Sequence, residues 1–312
     1  MRYFVRKKIN FAARLVPPIL LRHFLKSIWQ QPRLQDSLQF HVQPYRYEST
    51  IPTRFDTDIE RLKKPRNLPG LDLNIAKSLD FLTQLKPFAH ELTSFPIEKP
   101  PGVDYWFRNF AYEDFDAISL YTIIRHLKPK RVIEVGCGFS SRVTSLACRK
   151  NQSEGHPVES LFIEPYPSES LGDFKLCGKL LVEKVEDVPL STFKSLEAGD
   201  ILFIDTTHIV KTQSDCCYEL LEILPILNPG VWIHVHDIFT PYDYPEEWLI
   251  DHLRSFNEQY FLEAILSNGK GFEIKLPLFC LWKDHRSALE PLMPQASARP
   301  AAFWIQKKQC QT

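Results

Sequence analysis

The sequence predicts an α/β fold built on a mostly parallel, doubly wound sheet, and three observations carry that expectation. Short apolar runs that end in acids alternate with stretches of helical spacing. The first run, 132–135, is apolar and rich in valine and isoleucine, and it passes directly into Gly136-Cys137-Gly138 and a helix-period stretch, SSRVTSLACRK. Two more runs, 160–164 (SLFIE) and 200–205 (DILFID), also close on a carboxylate, as strands buried on both faces of a parallel sheet would.

From the amino terminus, residues 1–30 set Arg2, Arg6, Lys7, Lys8, Arg14, Arg22 and Lys26 among Phe, Leu, Ile and Trp, with Pro17-Pro18 between. A secretory leader needs an unbroken apolar core and a small-residue cleavage site; this segment has neither. It reads as helices packed on the domain or on a second copy, a homodimer contact, ahead of a basic amphipathic segment making peripheral contact with an anionic membrane. Residues 31–69 are polar and proline-punctuated, and read as an extended arm. Helical spacing returns at 72–92 through Ile75, Leu79, Leu82 and Leu85, with Pro87 as its expected break. The predicted organisation is an amino-terminal helical and extended arm, 1–100, a main α/β domain, 101–290, and an irregular tail, 291–312.

Within the main domain, 105–125 leads into a helix capped at Asp114 or Asp116 and closed by Lys128-Pro129. A third strand is expected at 180–183, leading to the acidic pair Glu186-Asp187. The fourth strand is followed by Thr206, Thr207 and His208. The fifth, 231–237, places His234 and His236 on one face by its two-residue period and ends on Asp237. The aromatic, proline-rich stretch 238–248 has the make-up of a pocket wall. A helix at 249–259 and an antiparallel strand pair at 261–266 and 278–283 complete the expected sheet.

Composition narrows the function. Basic and acidic residues balance at 38 each, so no long-range field favours nucleic acid. Seven cysteines without CxxC spacing argue against a disulfide framework and for a reducing, cytoplasmic setting. The adjacent Cys216-Cys217 reads as helix packing rather than a metal clip. No run is long and apolar enough to span a bilayer.

Glu134-x-Gly136-x-Gly138, the strand-end acid Glu164, FIDTTH at 203–208 and NPGVWIHVHDI at 228–238 stand in the order found in class I S-adenosylmethionine-dependent methyltransferases. The stretch 199–248 is similar to a bacterial branch of that family with FIDSSH and HDIF motifs, and the likeness extends over 105–283. It implies a Rossmann-like, seven-stranded sheet of order 3-2-1-4-5-7-6 with the last strand antiparallel. It also implies a cofactor, S-adenosylmethionine, held by Glu134, Gly136, Gly138, Ser140, Glu164, Glu186, Asp187 and Asp205. Two glycines allow a sharp turn, the helix after it offers unpaired N–H groups, and a strand-end carboxylate can accept from both ribose hydroxyls. Arg108 and Asn109, before the first helix of the domain, are candidates for the cofactor's carboxylate.

Methyl transfer from a sulfonium is a direct displacement, so the protein mainly aligns a nucleophile and excludes water. For a hydroxyl acceptor, glycosyl or polyol, a general base is needed; His208 is the first candidate and His236 the second, with Asp205 beside them. Asp205 and Asp237 at adjacent strand ends are alternatively placed to hold a magnesium ion, although Ile238 stands where many metal-dependent relatives carry an acid or amide. A nicotinamide-dependent sugar oxidoreductase is disfavoured, because the turn does not close on a third glycine and no Tyr-x-x-x-Lys pair is present. A non-catalytic cofactor-binding scaffold would have no need of ionisable groups at a sheet mouth.

Overall fold

A computed structural model describes residues 17–40, 42, 51–54, 56–167, 171, 174–267, 271–292 and 296–309. The chain divides into two compact units, Met1–Pro52 and Thr53–Thr312. The first carries the helices Pro18–Trp29 and Pro32–Leu38, each opening on a proline, where the missing N–H is one the helix would leave unpaired anyway. Buried Gln35 fixes the second helix by donating to Trp29 O and accepting from Val42 N. Part of the stretch expected as an extended arm is therefore helical; seven residues are too few to display a period. The basic residues before Pro17 lie outside the described residues.

The second unit is organised on seven strands: β1 Arg131–Val135, β2 Glu159–Ile163, β3 Lys179–Leu181, β4 Ile201–Ile204, β5 Trp232–Val235, β6 Phe272–Pro277 and β7 Phe303–Lys307. Their order is β3-β2-β1-β4-β5-β7-β6, with β7 antiparallel to both neighbours and the other pairings parallel. Fold class and strand order are those expected. Alternation along each strand feeds two cores. Val132, Ile201, Phe203 and Trp232 pack with the helices Ile75–Ala89, Asp114–Leu127 and Phe139–Ser153. Ile133, Val135, Leu202, Ile204 and Ile233 pack on the other face with Phe193, Leu220, Leu224 and Leu262.

Four sequence expectations are corrected. The arm does not extend to residue 100: the helix Ile75–Ala89 buries Phe81, Leu82 and Leu85 in the main core. Pro87 does not break it: the helix runs on to Ala89 and the chain continues as a 3₁₀ turn, His90–Ser94. Residues 261–266 and 278–283 are not strands but lie in the helices Glu258–Leu266 and Leu278–Asp284.

The tail is not irregular, for it supplies β7, with Phe303, Trp304 and Ile305 buried. Two acids of the helix Asp114–Leu127 deliver it. Asp114 accepts from the amides of Ser297 and Ala298, and Asp116 from those of Ala301 and Ala302. These bonds steer the chain into the gap between β5 and β6.

Candidate active site at the carboxyl ends of the strands

One ladder bond beyond each strand lines up four residues along the carboxyl rim. Gly136 N–H donates to Ile163 O (2.9 Å), Glu164 N–H to Leu181 O (3.0 Å), Asp205 N–H to Val135 O (3.0 Å) and His236 N–H to Ile204 O (3.0 Å). Gly136 has φ +83°, and a Cβ there would lie 1.8 Å from the carbonyl oxygen of Asp205. The glycine is thus required by the main chain of the neighbouring strand end, before any ligand is considered.

Above this rim runs a crevice of two lobes. The larger, about 460 Å³, is lined by Tyr166, Lys184, Val185, Glu186, Thr206 and Lys211 among others. The smaller, about 210 Å³, is lined by Ala111, Tyr112, Cys137, Gly138, Phe139 and Ser140. Gly136, Glu164 and Asp205 line both and mark where they meet. Each Glu164 oxygen accepts one main-chain N–H, from Cys137 (3.1 Å) and Tyr166 (2.7 Å). Lone pairs therefore remain on the carboxylate for a ligand.

Glu134 lies beneath the turn and not in the crevice. It is fully buried; Ser140 and Ser141 hydroxyls donate to its Oε1 at 2.8 and 2.7 Å, while Oε2 has no partner. Burial pushes its carboxyl up to about 7 despite these hydroxyls. Its role is to tie the helix Phe139–Ser153 to β1, together with the bond from Gly138 N–H to Ser141 Oγ.

Of the pair left open by the sequence, Glu186 lines the larger lobe and Asp187 is exposed outside both linings. Arg108 and Asn109 do not line either lobe: Arg108 is exposed and paired with Glu98, and buried Asn109 bonds the main chain of its own loop at Trp106, Ala111 and Tyr112. What that loop presents instead is Ala111 and Tyr112, whose side chains carry no ligand-binding signature a sequence would display.

At the β4 and β5 ends the rim is a cluster of acids and imidazoles. His208 Nε2 stands 3.3 Å from both Asp205 and Asp237, and its Nδ1 lies 3.0 Å from buried Glu258. His236 repeats the arrangement, with Nδ1 at 3.3 Å from Asp237 and 3.7 Å from Asp205, and Nε2 at 3.5 Å from Asp116. Each imidazole thus faces the same two rim acids and is backed by a third. Burial alone would lower both histidines, but the carboxylates outweigh it and hold both well above the usual imidazole range. Burial likewise opposes the charge on Asp205, yet the two imidazoles keep its carboxyl below the ordinary value.

His208 and Asp237 adopt left-handed backbone, φ +59° and +57°. Such conformations cost a non-glycine residue on the order of 1 kcal/mol each, and they concentrate at functional sites. His234, in contrast, is fully buried, stacked 4.2 Å from the Phe203 ring, and driven well below the usual range by burial, so it is a neutral core residue. Glu258 and Asp116 were missed as members of this cluster, since they arrive from helices distant in sequence.

A family model described as a methyltransferase domain matches residues 133–238, the span from β1 to the end of β5 and its rim. An uncharacterised protein of Archaeoglobus fulgidus is 30% identical over 168 residues, which is 51% of this chain and 75% of that protein. The chain carries a methyltransferase domain. The enzyme class expected from the sequence, an S-adenosylmethionine-dependent methyltransferase with a Rossmann-like sheet, therefore stands.

Solved structures superpose on this methyltransferase only loosely. A structure of CmcI with Mg and SAM gives a TM-score of 0.36 at 14% identity, over 63% of this chain and 72% of that one. An apo structure of CmcI gives 0.39 at 12%, over 70% and 88%. A putative protein-L-isoaspartate O-methyltransferase of Plasmodium falciparum, in complex with S-adenosyl-L-homocysteine, gives 0.27 at 10%, over 45% and 69%. Likeness at this level says nothing about ligand or acceptor.

The donor set at Asp205 and Asp237 does not suit magnesium. That ion prefers an octahedron of oxygens, whereas here two imidazoles stand between the two carboxylates. Among the described residues, the acids and histidines of the rim do not gather as three ligands around one point. Among those residues too, no helix is long and apolar enough to cross a membrane.

Proposed function

We propose that this methyltransferase moves the methyl group of S-adenosylmethionine to a hydroxyl of a small polyhydroxy acceptor, glycosyl or polyol. One observation carries the reading: the two lobes meet at Asp205, and the acid–imidazole cluster stands directly behind that carboxylate. The crevice fits the cofactor by its two-lobed form, by the spare lone pairs of Glu164 for a ribose diol, and by Glu186 in the larger lobe. Bound there, the sulfonium supplies a methyl group already activated for displacement.

The chain's own residues then orient the acceptor and take its proton. Asp205 and Asp237, 28% and 14% exposed, are placed to accept hydrogen bonds from neighbouring hydroxyls. His236 acts as the base only after cofactor binding has driven off the proton that the acids hold on it: Nδ1, 3.3 Å from Asp237 and 3.7 Å from Asp205, then receives the acceptor's proton by way of the rim carboxylates, with Asp116 3.5 Å behind Nε2. His208, held on both ring nitrogens by three carboxylates, keeps Asp205 and Asp237 in register.

Calorimetric titration tests the cofactor: S-adenosylmethionine and S-adenosylhomocysteine bind and NADH does not. Transfer of a labelled methyl group to a panel of hydroxyl, amine and thiol compounds then tests the acceptor, with label expected on hydroxyls and undiminished by EDTA. Binding of NADH in place of the sulfonium, or label confined to amines or thiols, overturns the reading.

A further inference from the structure

Behind the rim, outside the crevice, three side chains come together, of which methyl transfer uses only Glu258, through its contact with His208. Cys216 lies in the helical turn Asp215–Tyr218, and Glu219 follows three residues later in the π turn Glu219–Ile223, so both project from one face. Glu258 opens the helix Glu258–Leu266. All three are completely buried. A ligand atom from each, one thiol sulfur and two carboxylate oxygens, lies within 4.8 Å of the others.

The hydrogen bonding of the two glutamates is lopsided. Glu219 Oε2 accepts from Thr206 at 3.0 Å, and Glu258 Oε2 is held by His208 Nδ1 at 3.0 Å. Oε1 of each has no partner, although a buried carboxylate oxygen left unpaired is costly. Ligating carboxylates show this pattern: an outer partner fixes one oxygen and the metal takes the other.

From this geometry we propose that Cys216, Glu219 and Glu258 form a binding site for one zinc ion. A thiolate with two carboxylates is a borderline-soft set that suits zinc and excludes magnesium and calcium. Zinc bonds of about 2.0–2.3 Å would draw atoms spaced like these inward by small side-chain rotations. Without a cation, burial raises both carboxyls and the thiol above their ordinary values, and Glu258 adds to the shift of Glu219; a dication reverses that penalty. The site joins the helical segment after β4 to the helix after β5, and the outer contact from Glu258 reaches His208.

The test uses the full chain purified without chelator. Elemental analysis is expected to find about one zinc per chain, and metal-free protein titrated with cobalt(II) should develop a near-ultraviolet thiolate-to-cobalt band. Cys216→Ser should abolish that band and weaken zinc binding at least about tenfold, and Glu219→Gln should weaken it similarly while leaving the band position near that of the wild type. Folding of each variant is checked by circular dichroism. A folded wild-type chain that retains no zinc and gives no cobalt band overturns the proposal. So does a carboxylic-acid infrared band that disappears in Glu219→Gln, since a proton would then be what neutralises the pair.

Discussion

Around β1 and β2 the rim is made of main chain: Gly136 and Gly138 turn there, and Glu164 is fixed by two amide groups. Around β4 and β5 it is made of side chains that titrate, with two imidazoles held between shared carboxylates. The first half is set by steric fit, with one titrating acid, Glu134, buried beneath it. The second is set by charge, and any cation brought near it shifts the proton balance. On the proposed reading the first half holds the ligand in a fixed pose and the second responds when the acceptor gives up its proton.

Four substitutions or titrations break or sharpen that contrast. Gly136→Ala should have the largest effect, because its Cβ would meet the main chain of Asp205; a stability loss of about 3 kcal/mol or more is expected in denaturant unfolding, with cofactor binding gone. Removing the proposed base by His236→Asn should lower turnover by about 10²–10⁴-fold while the calorimetric affinity for S-adenosylhomocysteine stays within a few-fold. Equal losses in both would mean that the two halves are not separable.

Glu134 offers a test on the steric side. Its carboxyl is raised from 4.5 to about 7, so the folded chain binds a proton that the unfolded chain has released, and stability falls as pH rises through that window. The full cost is roughly 3 kcal/mol, and Glu134→Gln should flatten this part of the pH–stability curve.

The smallest effect concerns the charge side. His236 faces Asp205, Asp237 and Asp116, with neutral His234 behind it, and these acids keep it protonated. A sulfonium over Asp205 opposes that charge. Binding of S-adenosylmethionine should therefore release a fraction of a proton and tighten as pH rises, whereas S-adenosylhomocysteine should do neither. Calorimetry in buffers of different ionisation enthalpy measures the difference.

The parallel half of the sheet was legible in the sequence because each of its strands is a short apolar run closed by a glycine turn, an acid or a histidine, and the first rim residues follow directly. Glu164, Asp205, His208 and His236 could be located from that pattern alone. The antiparallel end was not legible: EQYFLEAIL and LFCLWKD are too short for period to separate helix from strand. Nor could the backing acids be found, because Asp116 and Glu258 reach the cluster through tertiary packing. Glu134 was expected among the residues that hold the cofactor, yet it is buried under the turn, away from the crevice, where two serine hydroxyls claim it.

β7 enters the sheet last in sequence but sits between β5 and β6, so those two strands have no direct pairing of their own. While the chain emerges from the ribosome, β5 must wait with an open flank until residues 303–307 arrive. Truncations ahead of Phe303 would leave two unprotected strand edges rather than one shortened end, and such species should self-associate rather than fold as smaller enzymes.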